Sequence, residues 1–224
     1  MPVQDVWGKN IMIGSVSSGG EGALSILAIG AHPDDVELGC GASLAHYAQA
    51  GSKVSVLIFS HGRRGAMSHE DRALESTEAF AKIGVTDVVV LDFPDTGLDT
   101  RHSELVQAIE THVLSRNPNR VYTMFEHDRH QDHRAIYHAS TVACRRVPQL
   151  LCYETPSSYP NFVPMVFEDI GAHLEAKVAA LKCHKSQGDR FYMQEEKIRA
   201  AAQFRGAQVE RGPCEGFIPY RMIL

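Results

Sequence analysis

The chain has little of what builds many specialised sites. Its five cysteines, Cys40, Cys144, Cys152, Cys183 and Cys214, are odd in number, widely scattered and form no C-x-x-C pair. That excludes a zinc ribbon or dithiol redox motif and leaves reduced, packed thiols as the expectation. No apolar run reaches the roughly 18 residues that span a bilayer, and the N-terminus lacks the basic-then-apolar layout of a secretory signal, so a soluble, cytoplasmic chain with no membrane span is expected. Basic excess is missing too. With 22 Lys and Arg against 27 Asp and Glu, the formal net charge is −5, which argues against general nucleic-acid binding despite the local pairs Arg63-Arg64 and Arg145-Arg146. Gly39-Cys40-Gly41 lacks the G-x-G-x-x-G spacing of a dinucleotide fingerprint, which removes nicotinamide and flavin sites; these glycines are expected to let a helix pack closely. No Pro-, Gly- and Ser-rich run divides the chain internally. Residues 25–224 therefore read as one domain, preceded by a flexible arm over 1–24 whose stretch Ser15 to Gly22 has linker composition.

What is present is a rhythm. Apolar, β-branched runs at Ser25 to Gly30, Lys53 to Ser60, Asp87 to Asp92, Arg120 to Phe125 and Leu150 to Glu154 alternate with helical patterns near Gly39 to Ala50, Ser68 to Ile83, Ser103 to Ser115 and Arg134 to Arg146. One helix per gap means βαβ units, hence an α/β, Rossmann-like fold with a mostly parallel sheet covered on both faces. After Tyr153 a proline-broken loop is expected over the site, then an extended piece from Phe162 to Phe167, helices over Ala172 to Cys183 and Phe191 to Gln203, and a closing loop from Arg211 to Phe217.

Two clusters carry the chemistry. Ala31-His32-Pro33-Asp34-Asp35 follows the first strand, and His127-Asp128-Arg129-His130-Gln131-Asp132-His133 follows the fourth. In a doubly wound sheet these strands are neighbours and ligands bind between their loops, so both clusters should meet at the carboxyl edge. Adjacent carboxylates beside a core need a positive partner, and a divalent metal with histidine co-ligands supplies one. His32, Asp35 and one imidazole of the second cluster would form a nitrogen and oxygen set suited to zinc with a position left for water. Against this stands a plainer reading, in which Asp34 and Asp35 cap the following helix. His127 reads as an ordinary loop residue, whereas His130 and His133 together read as functional.

The first motif and the His130-Gln131-Asp132-His133 segment together resemble the PIG-L or LmbE-like family of zinc-dependent N-deacetylases, with Gln131 where that family has proline. The resemblance covers most of Ser25 to Gln187. It implies that His32, Asp35 and His133 bind Zn2+ or another divalent metal, that Asp34 is the general base, and that His130, protonated, faces the oxyanion, oriented by Asp132. It further implies a substrate-holding role for Arg72, in an R-x-x-E stretch with Glu75, and a structural role for His184-Lys185-Ser186-Gln187. Pro213 to Phe217 matches the usual C-terminal motif only in part. The implied reaction is hydrolysis of an N-acetyl group from an amino sugar or glycoconjugate, releasing acetate and a free amine. Alternatives are another acylated small molecule, such as a nucleoside- or aminoglycoside-linked amide, a non-catalytic sugar-binding relative, and a purely structural metal. A homo-oligomer is left open, since the arm could reach a second copy.

Overall fold

Strand β3 (Ser25–Gly30) is a short apolar run with both faces covered, and everything else is arranged around it. The computed structural model describes residues 3–4, 10–11, 23–65 and 72–223. Ahead of β3, β1 (Val3–Gln4) and β2 (Asn10–Ile11) form a small antiparallel pair; the other residues of the expected arm up to Gly22 lie outside the described ones. After β3 come α1 (Asp35–Gln49), β4 (Lys53–Ile58), α2 (Arg72–Lys82), β5 (Asp87–Val90), α3 (His102–Arg116), β6 (Arg120–Met124), α4 (Gln131–Ala143), β7 (Gln149–Tyr153), β8 (Val166–Asp169), α5 (Leu174–Leu181), α6 (Glu195–Ala207) and β9 (Cys214–Met222).

The main sheet has the order β5-β4-β3-β6-β7-β9-β8. Strands β3 to β7 are mutually parallel, while β9 runs antiparallel to both β7 and β8. The chain thus winds outward from β3 through β4 and β5, then returns to the other side of β3 with β6. That reversal is the switch point at which α/β sheets bind ligands. Helices α1, α2 and α5 pack together, and α3 packs on α4. This is the expected Rossmann-like α/β architecture.

Several boundaries differ from the sequence expectation, each for a local reason. Helix α1 begins at Asp35, not Gly39, and α4 at Gln131, not Arg134, so both chemical motifs run into helix N-termini. The expected start of α2 at Ser68 lies outside the described residues. Helix α6 begins at Glu195, because Phe191–Met193 forms a separate 3-10 turn. The closing loop is replaced by β9, which pairs with β7 through a register shift that sets Leu150 opposite Arg221 and Leu151 opposite Pro219. A proline has no N–H to give the ladder, and an irregular register is where a strand tolerates one. At Gly39 a Cβ would lie 2.1 Å from the ring of Tyr153, so close packing is required there, whereas at Gly41 it would meet only ordinary contacts.

Helix α1 is broken at Cys40, whose φ of −144° is not helical. The break frees amides, and buried Glu215 of β9 takes them: its carboxylate accepts from Ala42 N at 3.1 Å, Ser43 N at 2.8 Å and the Ser43 hydroxyl at 2.5 Å. Lys177 Nζ donates to the same carboxylate at 2.6 Å. Removing it strands a buried ammonium and the amides together. Glu215→Ala should cost about 3 kcal/mol of unfolding free energy in urea melts; a loss below about 1 kcal/mol, the worth of one ordinary hydrogen bond, would show that this contact is dispensable.

Candidate active site

The turn Ala31 to Asp34 leaves β3 beside the turn that leaves β6, because the two strands are hydrogen-bonded neighbours. Asp34 sits at φ 98°, a conformation that costs a non-glycine residue energy and concentrates at functional turns. The two adjacent aspartates have different partners. Asp34 Oδ2 accepts from Arg72 Nη2 at 3.2 Å, while Asp35 Oδ2 accepts from the His32 amide at 2.8 Å. Asp34 occupies the cap position of α1 without making a side-chain cap, so helix capping does not account for it.

Asp35 lies between two buried imidazoles. Its Oδ2 is 3.4 Å from His32 Nδ1 and its Oδ1 is 3.4 Å from His133 Nε2. Ligands about 2.0–2.1 Å from one tetrahedral ion stand roughly 3.4 Å apart, so each contact has the spacing of a ligand pair, the two being made by different oxygens of the Asp35 carboxylate. The opposite ring nitrogens meet carboxylates: His32 Nε2 is 3.1 Å from Asp132 Oδ2 and 3.3 Å from Asp95 Oδ1, and His133 Nδ1 is 3.2 Å from Asp128 Oδ2. A ring nitrogen held by a carboxylate behind it is how metal-ligating histidines are oriented. The residues present therefore fit a divalent cation. Among the described residues, the sets whose ligand atoms all lie within 4.8 Å of one another are His32, His130 and His133, and His32, Asp95 and Asp132.

The charged groups of the cluster shift one another's pKa. Burial pulls the His32 pKa down, but Asp132, Asp35 and Asp95 outweigh it and carry the group well above its ordinary value. Burial would likewise raise Asp35, yet His133 and His32 hold its carboxyl at about 2. Asp34 goes the other way: burial pushes it up to about 6, with Asp35 and Glu37 adding to the rise and Arg72 and His184 opposing it. Two neighbouring carboxyls of one turn are thus tuned apart, one always ionised and one poised near neutrality.

His130 is half-buried and stacked on His133, with ring centroids 4.7 Å apart. Its Nδ1 accepts the Asp132 amide at 3.2 Å. The Asp132 carboxylate is elsewhere, accepting from Thr96 N at 2.8 Å and Leu98 N at 3.1 Å and facing His32. Orientation of His130 by Asp132 thus runs through the backbone amide. Burial, then His133 and His32, lowers the His130 pKa, which favours a neutral ring carrying its proton on Nε2.

Asp128 and Asp95 are the residues that sequence reasoning passed over. Asp128 is fully buried and accepts from His130 N at 2.8 Å, Ser157 Oγ at 2.6 Å and Thr155 Oγ1 at 2.7 Å, tying the second motif to the turn after β7. Burial opposes its ionisation, but His133 and these donors hold it below the usual carboxylate range. Its place within the His127 to His133 cluster was the available signal. His127 is exposed beside Glu126, as an ordinary loop residue would be.

Arg72, expected to hold substrate, lines the cleft and is bonded to its wall. Its guanidinium is buried and donates to the carbonyls of Gly62 and Pro33, both at 2.7 Å, as well as to Asp34. Its Nη1 and Nη2 brace the Asp34 turn, while its buried Nε has no hydrogen-bond partner among the described residues. Its partner Glu75 accepts from Ser186 N at 2.8 Å and Oγ at 2.6 Å, and His184 Nε2 meets Glu37 Oε1 at 3.0 Å, so the His184 to Gln187 segment buttresses the same wall. The cleft above these residues has a volume of about 310 Å³.

The family profile described as PIG-L, GlcNAc-PI de-N-acetylase, matches residues 27–144. An uncharacterized deacetylase, YaiS, of Escherichia coli is 46% identical over 167 residues, which cover 72% of this chain and 90% of that protein. The chain belongs to the PIG-L family. Diacetylchitobiose deacetylase of Thermococcus kodakarensis is 28% identical over 225 aligned positions, covering 87% of this chain and 83% of that one. Among solved structures, the conserved protein TT1542 of Thermus thermophilus superposes with a TM-score of 0.77 at 28% identity, over 90% of this chain and 96% of that one. As a PIG-L family member the protein is a deacetylase, a hydrolase of amide bonds. Among the described residues no helix is long and apolar enough to cross a membrane.

Proposed function

We propose that this PIG-L family deacetylase removes the N-acetyl group of an amino-sugar-containing small molecule or glycoconjugate, with zinc or another divalent metal held by His32, Asp35 and His133. The observation that carries the reading is the Asp35 carboxylate set 3.4 Å from each of two buried imidazoles, beside an Asp34 whose pKa is about 6. The metal would supply an electrophile that polarises the amide carbonyl and acidifies water. Asp34, ionised at neutral pH, takes the proton of the attacking water and passes it to the departing amine. Arg72 holds that carboxylate in place. His130, with Nδ1 engaged by the Asp132 amide, offers Nε2–H to the developing oxyanion. Acetate and the free amine are the products. The amino-sugar class is supported by the relative named diacetylchitobiose deacetylase.

The test is acetate release from a panel of N-acetylated sugars, nucleotide sugars and aminoglycosides, with metal content measured on the same samples. Turnover of at least one amino sugar should vanish on chelation and return with zinc. Acetate release that survives complete chelation would overturn the metal assignment, and release confined to the other acylated compounds would overturn the sugar.

Asp128 extends the same reading behind His133. Asp128→Asn should weaken metal affinity by about 10- to 100-fold, measured by competition against a chelating dye, because an amide orients the ring less firmly than a carboxylate. Equal affinities would remove Asp128 from this role.

A further inference from the structure

A second cavity of about 450 Å³ opens beside the reaction cleft. The two share walls, since Leu38, Pro156 and Tyr192 line both. Their linings differ in kind. The cleft is walled by the aspartates and histidines already described together with Arg72, Arg64 and Arg190, whereas the second chamber is bounded largely by Phe191, Ile198, Phe204 and the alanines of α6. Phe191 and Phe204 are 68% and 60% exposed, a large apolar surface left facing water around a concave site. The charged groups in the chamber wall are already answered within the protein. Lys177 Nζ is 2.6 Å from Glu215, Arg205 Nε is 2.7 Å from Glu154, and Lys197 Nζ is 3.0 Å from Glu196. Nothing in that wall calls for a charged ligand, and the volume is that of a small-molecule site.

We propose that this chamber receives an apolar alkyl or aryl group carried by the deacetylase's own substrate, so that the substrate is amphiphilic, with its acetamide in the polar cleft and its apolar substituent past Tyr192. The inference rests on the amino-sugar deacetylase reading and narrows its substrate class. Since a deacetylase removes a two-carbon acyl group, a chamber of this size serves the amine side of the scissile bond. The apolar group is therefore attached to the sugar. Tyr192 stands at the junction, and among the described residues no hydrogen bond is recorded for its hydroxyl, which leaves it available to the sugar between the two chambers.

The experiment compares kcat/KM for acetate release from the methyl, hexyl and phenyl β-glycosides of N-acetylglucosamine. Hexyl or phenyl should exceed methyl by at least about tenfold, since several apolar carbons leave water in the chamber. Ala201→Phe, which places a ring in the chamber from α6, should bring that ratio close to one, with a thermal melt confirming that the variant is folded. Equal kcat/KM for all three glycosides overturns the proposal while leaving the deacetylase reading intact. A gain confined to longer N-acyl chains also overturns it, by assigning the chamber to the acyl side. Calorimetric binding of the corresponding free amines, hexyl against methyl glucosaminide, reads the chamber without turnover. A hexyl preference there supports the proposal even where no acetate is released, which separates its fate from that of the function reading, and equal binding overturns it.

Discussion

Asp34→Asn is expected to lower kcat by about a thousandfold while leaving the metal content of the protein unchanged. The amide keeps the shape of the side chain and can still accept from Arg72, but it cannot hold the proton of the attacking water. The same group sets the pH dependence. Burial raises the Asp34 pKa from the ordinary 3.8 to about 6. The ionised form is the base, so kcat/KM falls as pH drops through that value and levels off above it. A divalent cation beside Asp35 favours the ionised form, so the acid limb of the loaded enzyme lies between the two values. Arg72→Gln removes the nearby cation that stabilises ionised Asp34, and should move the limb to higher pH. If Asp34→Asn turns over an accepted substrate at the wild-type rate, Asp34 is not the base.

The two motifs were legible because the chemistry-bearing residues stand in short runs after strands that are themselves easy to read. The apolar run Ser25–Gly30 and the reversal of winding were enough to set His32 and His133 side by side across a hundred residues of chain. Roles that depend on a side chain's direction were not legible. Arg72 lies on α2 above the cleft, and only the fold shows that its guanidinium turns to the Gly62 and Pro33 carbonyls. Asp128 looked like one more polar residue of a histidine-rich turn, because its partners Thr155 and Ser157 come from a loop nearly thirty residues later.

Fold boundaries failed where burial and polarity part company. Asp35 and Glu37 are buried in the first turn of α1, their charges met by His133 and His184, so a hydrophobic pattern places the helix start too late. The beginning of β9 reads as loop because Pro213, Gly216 and Pro219 disfavour a regular strand, and its buried charge, Glu215, serves the amides of α1, which packs against it. In each case a tertiary contact supplies what local propensity withholds.

Asp35→Asn should abolish both metal binding and turnover, with affinity falling by at least about a hundredfold, beyond what loss of a residue behind a ligand produces. The size follows from position. Asp35 faces His32 Nδ1 and His133 Nε2 at once, and those two imidazoles, with burial working against them, hold its carboxyl at about 2, so it is anionic throughout the working pH range. Asparagine retains an acceptor for the His32 amide, so the turn should keep its form while the negative charge is lost. Thermal melts then separate folding from binding. Wild-type protein gains about 2.7 kcal/mol when metal is supplied at a hundred times its Kd, seen as a higher Tm, whereas the variant should gain no more than about 0.4 kcal/mol at that concentration. Normal metal content in Asp35→Asn would transfer the site to the imidazole set of His32, His130 and His133. His130 could then no longer serve the oxyanion, because its Nε2 would be occupied by the ion.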